Sequence, residues 1–322
     1  MAHVTGSASS YANLLSSIQS ALTANGWTLT SGVLIKSGLH VLLKVANPFA
    51  SGTQSALIAS IGNSSSAGVL TGNPAPNGIR VGPFSSTTTA GDMTFPCTYR
   101  IFINTSPDEV YIFCRYGTNQ YQWVGFGVSP AVGSSGNGSW LSGTFGNPPT
   151  GSTASPNNAL GTNQAFYITN SGNASSNNAV APGPFMSNLA LAGVTFPGTN
   201  SIMHTGTATA NGWSAPNGTS EIPNAYVAVA GLLAISPNAW NSQAALINIL
   251  VSIPAASNKT QIVGNIAHCR YVKINFMQPE DIIILGSDKW MVFPLFKKGT
   301  SELNASRDDT GYYGVALRYD GP

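Results

Sequence analysis

The sequence predicts a mainly β protein, with an antiparallel β-sandwich or barrel-like core, one N-terminal helix and long loops rich in Gly, Asn and Ser. Three observations support this prediction. Several short segments alternate β-branched or aromatic residues with others, as half-buried strands do. One early segment has helical spacing instead. The chain also contains 35 Gly and 20 Pro among 322 residues, and these residues interrupt regular structure between the segments.

Residues 9–25 predict the helix. Its apolar residues recur at helical spacing on one face: Tyr11, Leu14, Leu15, Ile18 and Leu22. Ser9 or Ser10 can cap the N-terminus, because a serine hydroxyl accepts a hydrogen bond from a free amide of the first turn. Asn25-Gly26 predicts the C-terminus, since both residue types tolerate the left-handed conformation that ends many helices.

Three strands are predicted directly after the helix. Trp27–Lys36 and Leu39–Val45 are joined by a tight turn at Ser37-Gly38, and Ser55–Ile61 forms the third strand. Residues 62–92 are of low complexity and predict loops.

The clearest strands lie in the middle of the first half of the chain. Tyr99–Ile103, Glu109–Tyr116 and Gln120–Gly127 alternate apolar residues and are separated by turns at Asn104–Asp108 and Gly117–Asn119. Such short turns predict antiparallel neighbours. Within the third strand we expect three aromatic residues to lie in the core: Tyr121, Trp123 and Phe126.

The C-terminal third predicts further strands, which have the same apolar and β-branched character. They are residues 225–235, 244–253, 261–267, 272–276, 281–285, 290–296 and 312–319. Three regions follow from these patterns. Residues 1–127 form a helix and β domain, residues 128–224 a loop-rich insertion or interface region, and residues 225–322 a β segment that packs on the first.

Charge is scarce and unevenly distributed. Charged residues make up 7% of the chain and the formal net charge is +2. Between Tyr116 and Asn258 the only Asp, Glu, Lys or Arg is Glu221, and His204 is the other titratable residue of note there. Nucleic-acid binding is not expected, because it requires a basic surface. Charge normally opposes association, so an uncharged surface favours a chain that packs against neighbouring subunits. A weakly charged secreted globular protein is the alternative interpretation.

Three groups of segments carry a resemblance to a known class. They are Gly26-Trp27 with Val33–Leu43; Tyr99–Ile103 with Pro107–Tyr111 and Tyr121–Gly127; and Asp288–Pro294 with Gly311–Tyr319. Together they resemble structural virion proteins of tailed bacteriophages, of the tail or baseplate kind. The resemblance implies a β-rich, non-enzymatic, multi-copy component of the tail, baseplate or collar. Its partners would be copies of itself and other virion proteins, and it would assemble in the bacterial cytoplasm.

No catalytic residue, cofactor or metal ion is expected. Cys97, Cys114, Cys269 and His268 could supply a zinc site, but their spacing is not that of zinc ligands, and buried thiols are the favoured interpretation. An odd number of cysteines and an N-terminus without a basic or long apolar segment favour a reducing compartment of synthesis. No apolar run is long enough to cross a membrane, so membrane insertion is not expected.

Adjacent carboxylates occur at Asp108-Glu109, Glu280-Asp281 and Asp308-Asp309. Glycosidases need two carboxyl groups across a cleft, whereas neighbours in a strand point to opposite faces. We therefore interpret these pairs as turn and strand-start residues. A polysaccharide depolymerase with acids distant in sequence remains an alternative function.

Three tryptophans among Asn, Ser and Gly are candidate contact residues: Trp140, Trp213 and Trp240. Aromatic rings beside amides suit subunit interfaces, where tryptophan is enriched, and they also suit sugars. Residues 128–224 are accordingly expected to form the contact or exposed surface. The alternatives to a tail protein are a carbohydrate- or receptor-binding adhesin module and a capsid decoration protein. A contribution to host adsorption through a cell-surface receptor or glycan is a further expectation.

Overall fold

A seven-stranded antiparallel sheet lies at the centre of the fold, between two further sheets and the helix. A computed structural model describes residues 1–48, 53–71, 78–83, 92–128, 134–135, 139–147, 185–187, 190–191, 201–203, 245–255, 259–299 and 313–321. Within these residues every strand pair is antiparallel and no sheet closes into a barrel. The prediction of a mainly β fold with one N-terminal helix is confirmed, in its sandwich form.

The regular elements of the described residues are numbered here in chain order. They are β1 (Ala2–Ala8), α1 (Tyr11–Ala24), β2 (Thr28–Thr30), β3 (Val33–Lys36), β4 (Leu39–Ala46), β5 (Ala56–Gly62), β6 (Ser64–Ser66), β7 (Val69–Thr71), β8 (Gly78–Val81), β9 (Cys97–Asn104), β10 (Glu109–Arg115), β11 (Tyr121–Val128), β12 (Ser134–Ser135), β13 (Ser139–Gly143), β14 (Phe145–Asn147), β15 (Phe185–Ser187), β16 (Ala190–Leu191), β17 (Ser201–Met203), β18 (Ile247–Ala255), β19 (Lys259–Lys273), β20 (Ile282–Leu285), β21 (Asp288–Pro294) and β22 (Tyr313–Arg318).

The helix forms where the sequence predicts it. Ser10 is the N-cap residue, and its hydroxyl accepts a hydrogen bond from the amide of Asn13 at 3.1 Å. Asn25 caps the other end and Gly26 follows with φ +84°. The apolar face of α1 is buried against the sheets through Leu14, Ile18, Ala21 and Leu22.

The first outer sheet has the order β14-β8-β5-β4-β3-β2. The predicted strand Trp27–Lys36 is instead two strands, because Ser31 and Gly32 both have positive φ and turn the chain back on itself. Ser37-Gly38 makes a second turn of the same kind. Loops were predicted to dominate residues 62–92, and the structure adds three short strands, β6, β7 and β8, within this range.

The central sheet has the order β1-β9-β10-β11-β13-β15-β17. Strands β9, β10 and β11 confirm the predicted antiparallel neighbours. Strand β1 was not predicted from the sequence: it pairs along its whole length with β9, from Ala2 opposite Ile103 to Ala8 opposite Cys97. The partner of β1 therefore lies nearly 100 residues later in the sequence, after the helix and most strands of the first outer sheet.

Both faces of the central sheet are buried, and alternate side chains divide between two cores. Val110, Ile112 and Cys114 of β10 face the core shared with α1 and the first outer sheet. Tyr111 and Phe113 of the same strand face the opposite core, shared with the C-terminal sheet. This period-2 alternation explains why β10 contains almost no polar residue: neither of its faces reaches water.

The C-terminal sheet has the order β18-β19-β22-β21-β20. Its inner face contributes Cys269, Tyr271, Phe293 and Leu317, among others, to the second core. The predicted strand Val272–Phe276 does not exist as a separate element. Strand β19 runs through to Lys273, and a turn follows in which the amide of Met277 bonds to the carbonyl of Ile274.

Several short strands, β12 to β17, lie within the predicted loop-rich region at 128–224, and β13, β15 and β17 join the central sheet. Residues 139–143 form β13, which pairs with β11 inside the central sheet, and Trp140 and Leu141 are fully buried there. The two residues enter the core because β13 bonds to β11 along Val124–Val128, on the side of β11 away from β10. Residues 225–235, which were predicted as a strand, lie outside the described residues.

Candidate assembly surface

The short strand β20 is the terminal strand of the C-terminal sheet and has the sequence Ile-Ile-Ile-Leu. Its one described neighbour is β21, with Ile282 opposite Met291 and Leu285 opposite Asp288. Because hydrogen bonds alternate in direction along an antiparallel pair, half of the backbone groups of β20 point away from β21. The strand therefore presents an open edge within the described structure.

The side chains of β20 are exposed although they are apolar. The exposed fraction is 42% for Ile282, 70% for Ile284 and 61% for Leu285. Proteins normally protect an open edge with lysine, proline, a bulge, an inward-pointing charge or a very short strand. With four residues β20 is short, but it carries no charge and no proline. We define Ile282, Ile284 and Leu285 as the β20 patch. It is the feature of the described surface best suited to contact another protein chain.

The β20 patch is held in place by a junction with the central sheet. The segment that precedes β20 bonds to β21: the amide of Glu280 donates to the carbonyl of Val292 at 2.7 Å, and the amide of Val292 donates to the carbonyl of Asp281 at 2.9 Å. The side chain of Glu280 extends from this segment to the central sheet, where it contacts β9 and β11.

The Glu280 carboxylate accepts hydrogen bonds from two residues of the central sheet. Arg100 donates to Oε2 through Nε at 2.9 Å and through Nη2 at 2.5 Å, and the Tyr121 hydroxyl donates to Oε1 at 3.0 Å. Arg115 lies further away, with 3.8 Å between Nη1 and Oε1. Charge-assisted hydrogen bonds of this kind are stronger than neutral ones, so Glu280 fastens the C-terminal sheet to β9 and β11.

Glu280 adopts a backbone φ of +74°, in the left-handed region that costs an ordinary residue energy. The same residue makes the contacts with Arg100 and Tyr121. The ion pair and the sheet contacts on both sides compensate for this cost and keep Glu280 in the conformation that directs its carboxylate towards the central sheet.

A second acid, Glu109, joins the same two sheets from inside. It is the first residue of β10 and is fully buried. Its carboxylate accepts hydrogen bonds from the amide of Ala267 at 2.8 Å, the amide of His268 at 2.9 Å and the Tyr111 hydroxyl at 2.8 Å. Burial raises the pKa of Glu109 to about 7, and these hydrogen bonds moderate the rise.

The amides that Glu109 binds belong to a bulge in β19. In the pairing of β18 with β19, Asn248 lies opposite Arg270 but Leu250 lies opposite Asn265. Four residues of β19, 266–269, thus face a single residue of β18 and lack ladder partners there. Because buried amides need acceptors, the Glu109 carboxylate takes the place of the missing strand at two of them.

Arg270 satisfies carbonyl groups of the same bulge. Its Nη1 atom donates to the carbonyls of Ile266 at 2.8 Å, Ala267 at 2.9 Å and Cys269 at 2.8 Å. The guanidinium also lies over the ring of Trp290, 5.0 Å from its centre, in the geometry of a cation–π contact. The bulge is therefore stabilised by two charged side chains: Glu109 accepts hydrogen bonds from its amides, and Arg270 donates hydrogen bonds to its carbonyls.

The ring of His268 is buried in this bulge, and neither of its nitrogens has a hydrogen-bond partner among the described residues. Burial, together with the charges of Arg318 and Arg270, lowers the pKa of His268 to about 4. The imidazole is therefore neutral at physiological pH.

The cysteines considered for a zinc site lie on opposite faces of the central sheet. Cys97 and Cys114 face the first core, where their thiols are hydrogen-bonded to each other. Cys269 faces the second core, and β9 and β10 separate it from the other two. The four-residue site with His268 is therefore excluded by the fold. Within the described residues, no group of three or more His, Cys, Asp or Glu side chains is placed to hold a metal ion.

The tryptophan predictions are partly corrected. Trp140 has an exposed fraction of 0% and packs with Tyr111 at a ring-centre distance of 5.5 Å, so its ring is not on a contact surface. It is buried because β13 joins the central sheet, which the Asn-, Ser- and Gly-rich surroundings did not reveal. Trp213 and Trp240 lie outside the described residues. Tyr121, Trp123 and Phe126 are buried, as predicted.

The two acids of each described pair have different partners, and the pairs lie in turns and at strand starts, as predicted. Asp108 pairs with Lys36 at 3.0 Å and accepts a hydrogen bond from Ser37, while Glu109 points into the second core. Glu280 points to Arg100, and Asp281 accepts a hydrogen bond from the amide of Gln278. Asp308-Asp309 lies outside the described residues.

Two features of the site were missed from the sequence, although each leaves a signal there. Glu109 interrupts an otherwise apolar strand that is buried on both faces, and an acid in such a strand needs internal partners. The Ile-Ile-Ile-Leu run was recognised as a strand, but its exposure depends on its place at the sheet edge.

Comparison with known proteins finds no protein-family model that matches the sequence and no curated protein with significant similarity to it. None of the helices in the described residues is long and apolar enough to cross a membrane.

Proposed function

We propose that the protein is a structural subunit of a tailed bacteriophage particle, placed in the tail, baseplate or collar. It acts mechanically, by forming contacts with copies of itself and with other virion proteins. The single observation that carries the proposal is the β20 patch. An open, apolar strand edge is a hazard for a chain that lives alone and an asset for one that assembles.

The composition supports the same proposal. With 7% charged residues, the chain has little of the electrostatic repulsion that keeps freely diffusing proteins apart. The resemblance of the Tyr99–Gly127 and C-terminal segments to virion proteins narrows the type of assembly to a phage tail or baseplate. Host adsorption through a receptor or glycan is a further role that such a position allows.

The alternatives receive less support from the described residues. An adhesin that binds sugar through Trp140 is disfavoured, because that ring is buried. A depolymerase needs two free acids across a cleft. In the described acid pairs of the sequence, Glu109 is buried, Asp108 and Glu280 each pair with a basic residue, and Asp281 accepts a hydrogen bond from a backbone amide. A capsid decoration protein would use the same kind of surface and differs only in location.

The test is to locate the protein in particles. Phage from the host that carries the gene is purified on a density gradient, probed by mass spectrometry and labelled for electron microscopy with an antibody against residues 128–224. We expect the protein to co-purify with infectious particles and the label to mark the tail, baseplate or collar. Label on the capsid lattice would favour the decoration alternative, and absence from particles would overturn the proposal.

A further inference from the structure

We propose that β20 pairs in antiparallel fashion with β20 of a second copy of this chain, and so joins two five-stranded sheets into one continuous sheet. The inference rests on the proposed function as an assembling subunit and names the partner of the β20 patch. It specifies homotypic pairing, as opposed to contact with a different protein.

The backbone of β20 is suited to such pairing. Its outer amides and carbonyls have no strand partner in the described structure, where β21 is its neighbour on the inner side alone. An added antiparallel strand would satisfy these groups by the same ladder that joins β20 to β21. Edge addition of this type is a recurrent mode of protein recognition.

The side chains of β20 make the pairing self-complementary. A two-fold axis perpendicular to the sheet reverses the strand direction between the two copies. The same face of β20 then lies on the same side of the joined sheet in both copies. Ile282 and Ile284, which share a face, therefore meet the same two residues of the other copy. No charge lies within the strand, so the symmetry brings no like charges together, as it would for an edge strand that carried lysine or glutamate.

A second copy explains the patch better than an unrelated partner. Dissimilar partners usually achieve specificity with polar groups that match across the contact, and β20 offers uniform branched apolar side chains instead. Uniform side chains fit a contact that both copies form with the same surface. Ile283, on the opposite face, packs partly against the core of the C-terminal sheet and anchors the strand.

The size of the patch determines the strength of the pair. Ile282 and Ile284 on one face of the strand and Leu285 on the other together expose apolar surface on the order of 300 Å², which is comparable with the largest patch on an ordinary monomer. A stable interface buries about 800 Å² on each partner. The isolated pair should therefore be weak, with a dissociation constant on the order of 100 µM. In a multi-copy assembly, other contacts hold the subunits together and raise the effective concentration of the edges.

The test compares self-association of the full chain and two variants by sedimentation velocity, from about 5 to about 500 µM, a range that brackets the expected affinity. We expect the wild type to form dimers reversibly. Ile284→Lys should weaken the dimer by about tenfold or more, because the two-fold axis brings the two ammonium groups close together on an apolar edge. Val69→Lys is the matched control: Val69 is 62% exposed, but it lies on the separate β6-β7 hairpin.

A second measurement does not depend on any variant. Hydrogen exchange of the peptide covering residues 281–286 should slow as the wild-type concentration rises, because pairing protects the outer amides. The proposal is overturned if the wild type stays monomeric throughout, if both lysine variants associate like the wild type, or if both lose association equally. These results are distinct from particle labelling: a chain located in particles that shows no β20 pairing keeps the proposed function and loses this inference.

Discussion

The carboxylate of Glu109 accepts a hydrogen bond of 2.9 Å from the backbone amide of His268, so a buried acid of the central sheet supports a bulge in the C-terminal sheet. The same carboxylate also binds the amide of Ala267. The two sheets are thus joined by directed hydrogen bonds as well as by apolar packing. The C-terminal sheet carries the β20 patch at its edge, so its position on the central sheet bears on assembly and stability alike.

Replacement of Glu109 by alanine should destabilise the protein by about 2–4 kcal/mol, because two amides of the bulge and the Tyr111 hydroxyl lose their acceptor inside the protein. Urea unfolding followed by tryptophan fluorescence measures the change. Asp288→Ala is the control, since the ion pair of Asp288 with Arg318 is more than a third exposed and should contribute about 1 kcal/mol or less. Equal effects of the two variants would contradict the role assigned to Glu109.

Glu109 also predicts a dependence of stability on pH. Its pKa rises from 4.5 to about 7 on folding. Between these values the folded chain holds a proton that the unfolded chain has released, so the free energy of unfolding should fall as the pH rises, by about 2–3 kcal/mol over the window. The contribution of Glu109 is measured as the difference in the free energy of unfolding between wild type and Glu109→Gln, in unfolding experiments from pH 4.5 to 7. If this difference in free energy stayed the same from pH 4.5 to 7, the predicted pH dependence would be refuted.

His268 predicts the opposite slope. Its pKa falls from 6.5 to about 4 on folding. Between these values the unfolded chain binds a proton that the folded chain does not, so the free energy of unfolding should fall as the pH is lowered. His268→Gln removes the titrating imidazole and with it this pH-dependent contribution to the free energy of unfolding. The variant should therefore lose less stability than the wild type on acidification from pH 6.5 to 4. If the two curves of unfolding free energy against pH ran parallel, the ring would not be buried in its neutral form.

Glu280→Ala should cost about 1–3 kcal/mol, since it removes a partly buried, charge-assisted contact with Arg100 and Tyr121. Arg115→Ala should cost little, because Arg115 is 3.8 Å from the carboxylate and its side chain is 45% exposed. Glu280→Gly loses the same contacts but relieves the positive φ. We therefore expect it to be more stable than Glu280→Ala by about 1 kcal/mol, and a less stable glycine variant would contradict the backbone assignment.

Trp140→Ala should destabilise the protein by about 3–5 kcal/mol, as expected for a large aromatic side chain removed from a close-packed core. The milder Trp140→Phe should cost less. Chemical denaturation of both variants provides the measurement. If the alanine variant were as stable as the wild type and instead had altered binding to glycans or subunits, Trp140 would belong to a surface after all.

Local patterns in the sequence were sufficient for the helix and for most strands. The Ser10 cap, the helical spacing of Leu14 and Ile18 and the Asn25-Gly26 ending are all determined within a few residues, and so are the alternation and turns between Tyr99 and Gly127. Strand β1 and the burial of Trp140 could not be predicted in this way. Both depend on a partner strand, β9 or β11, that is specified by packing and not by local sequence.

The amino-acid sequence by itself determined a mainly antiparallel β protein with one capped helix and a chain nearly without charge. Only the tertiary structure decided that the central sheet is buried on both faces, that Glu109 and Glu280 join the sheets, and that the Ile-Ile-Ile-Leu strand lies at an open edge. The physical reason is the range of the interactions. Propensity, capping and turn chemistry act between neighbours in sequence, whereas burial and edge position depend on which distant strands pair.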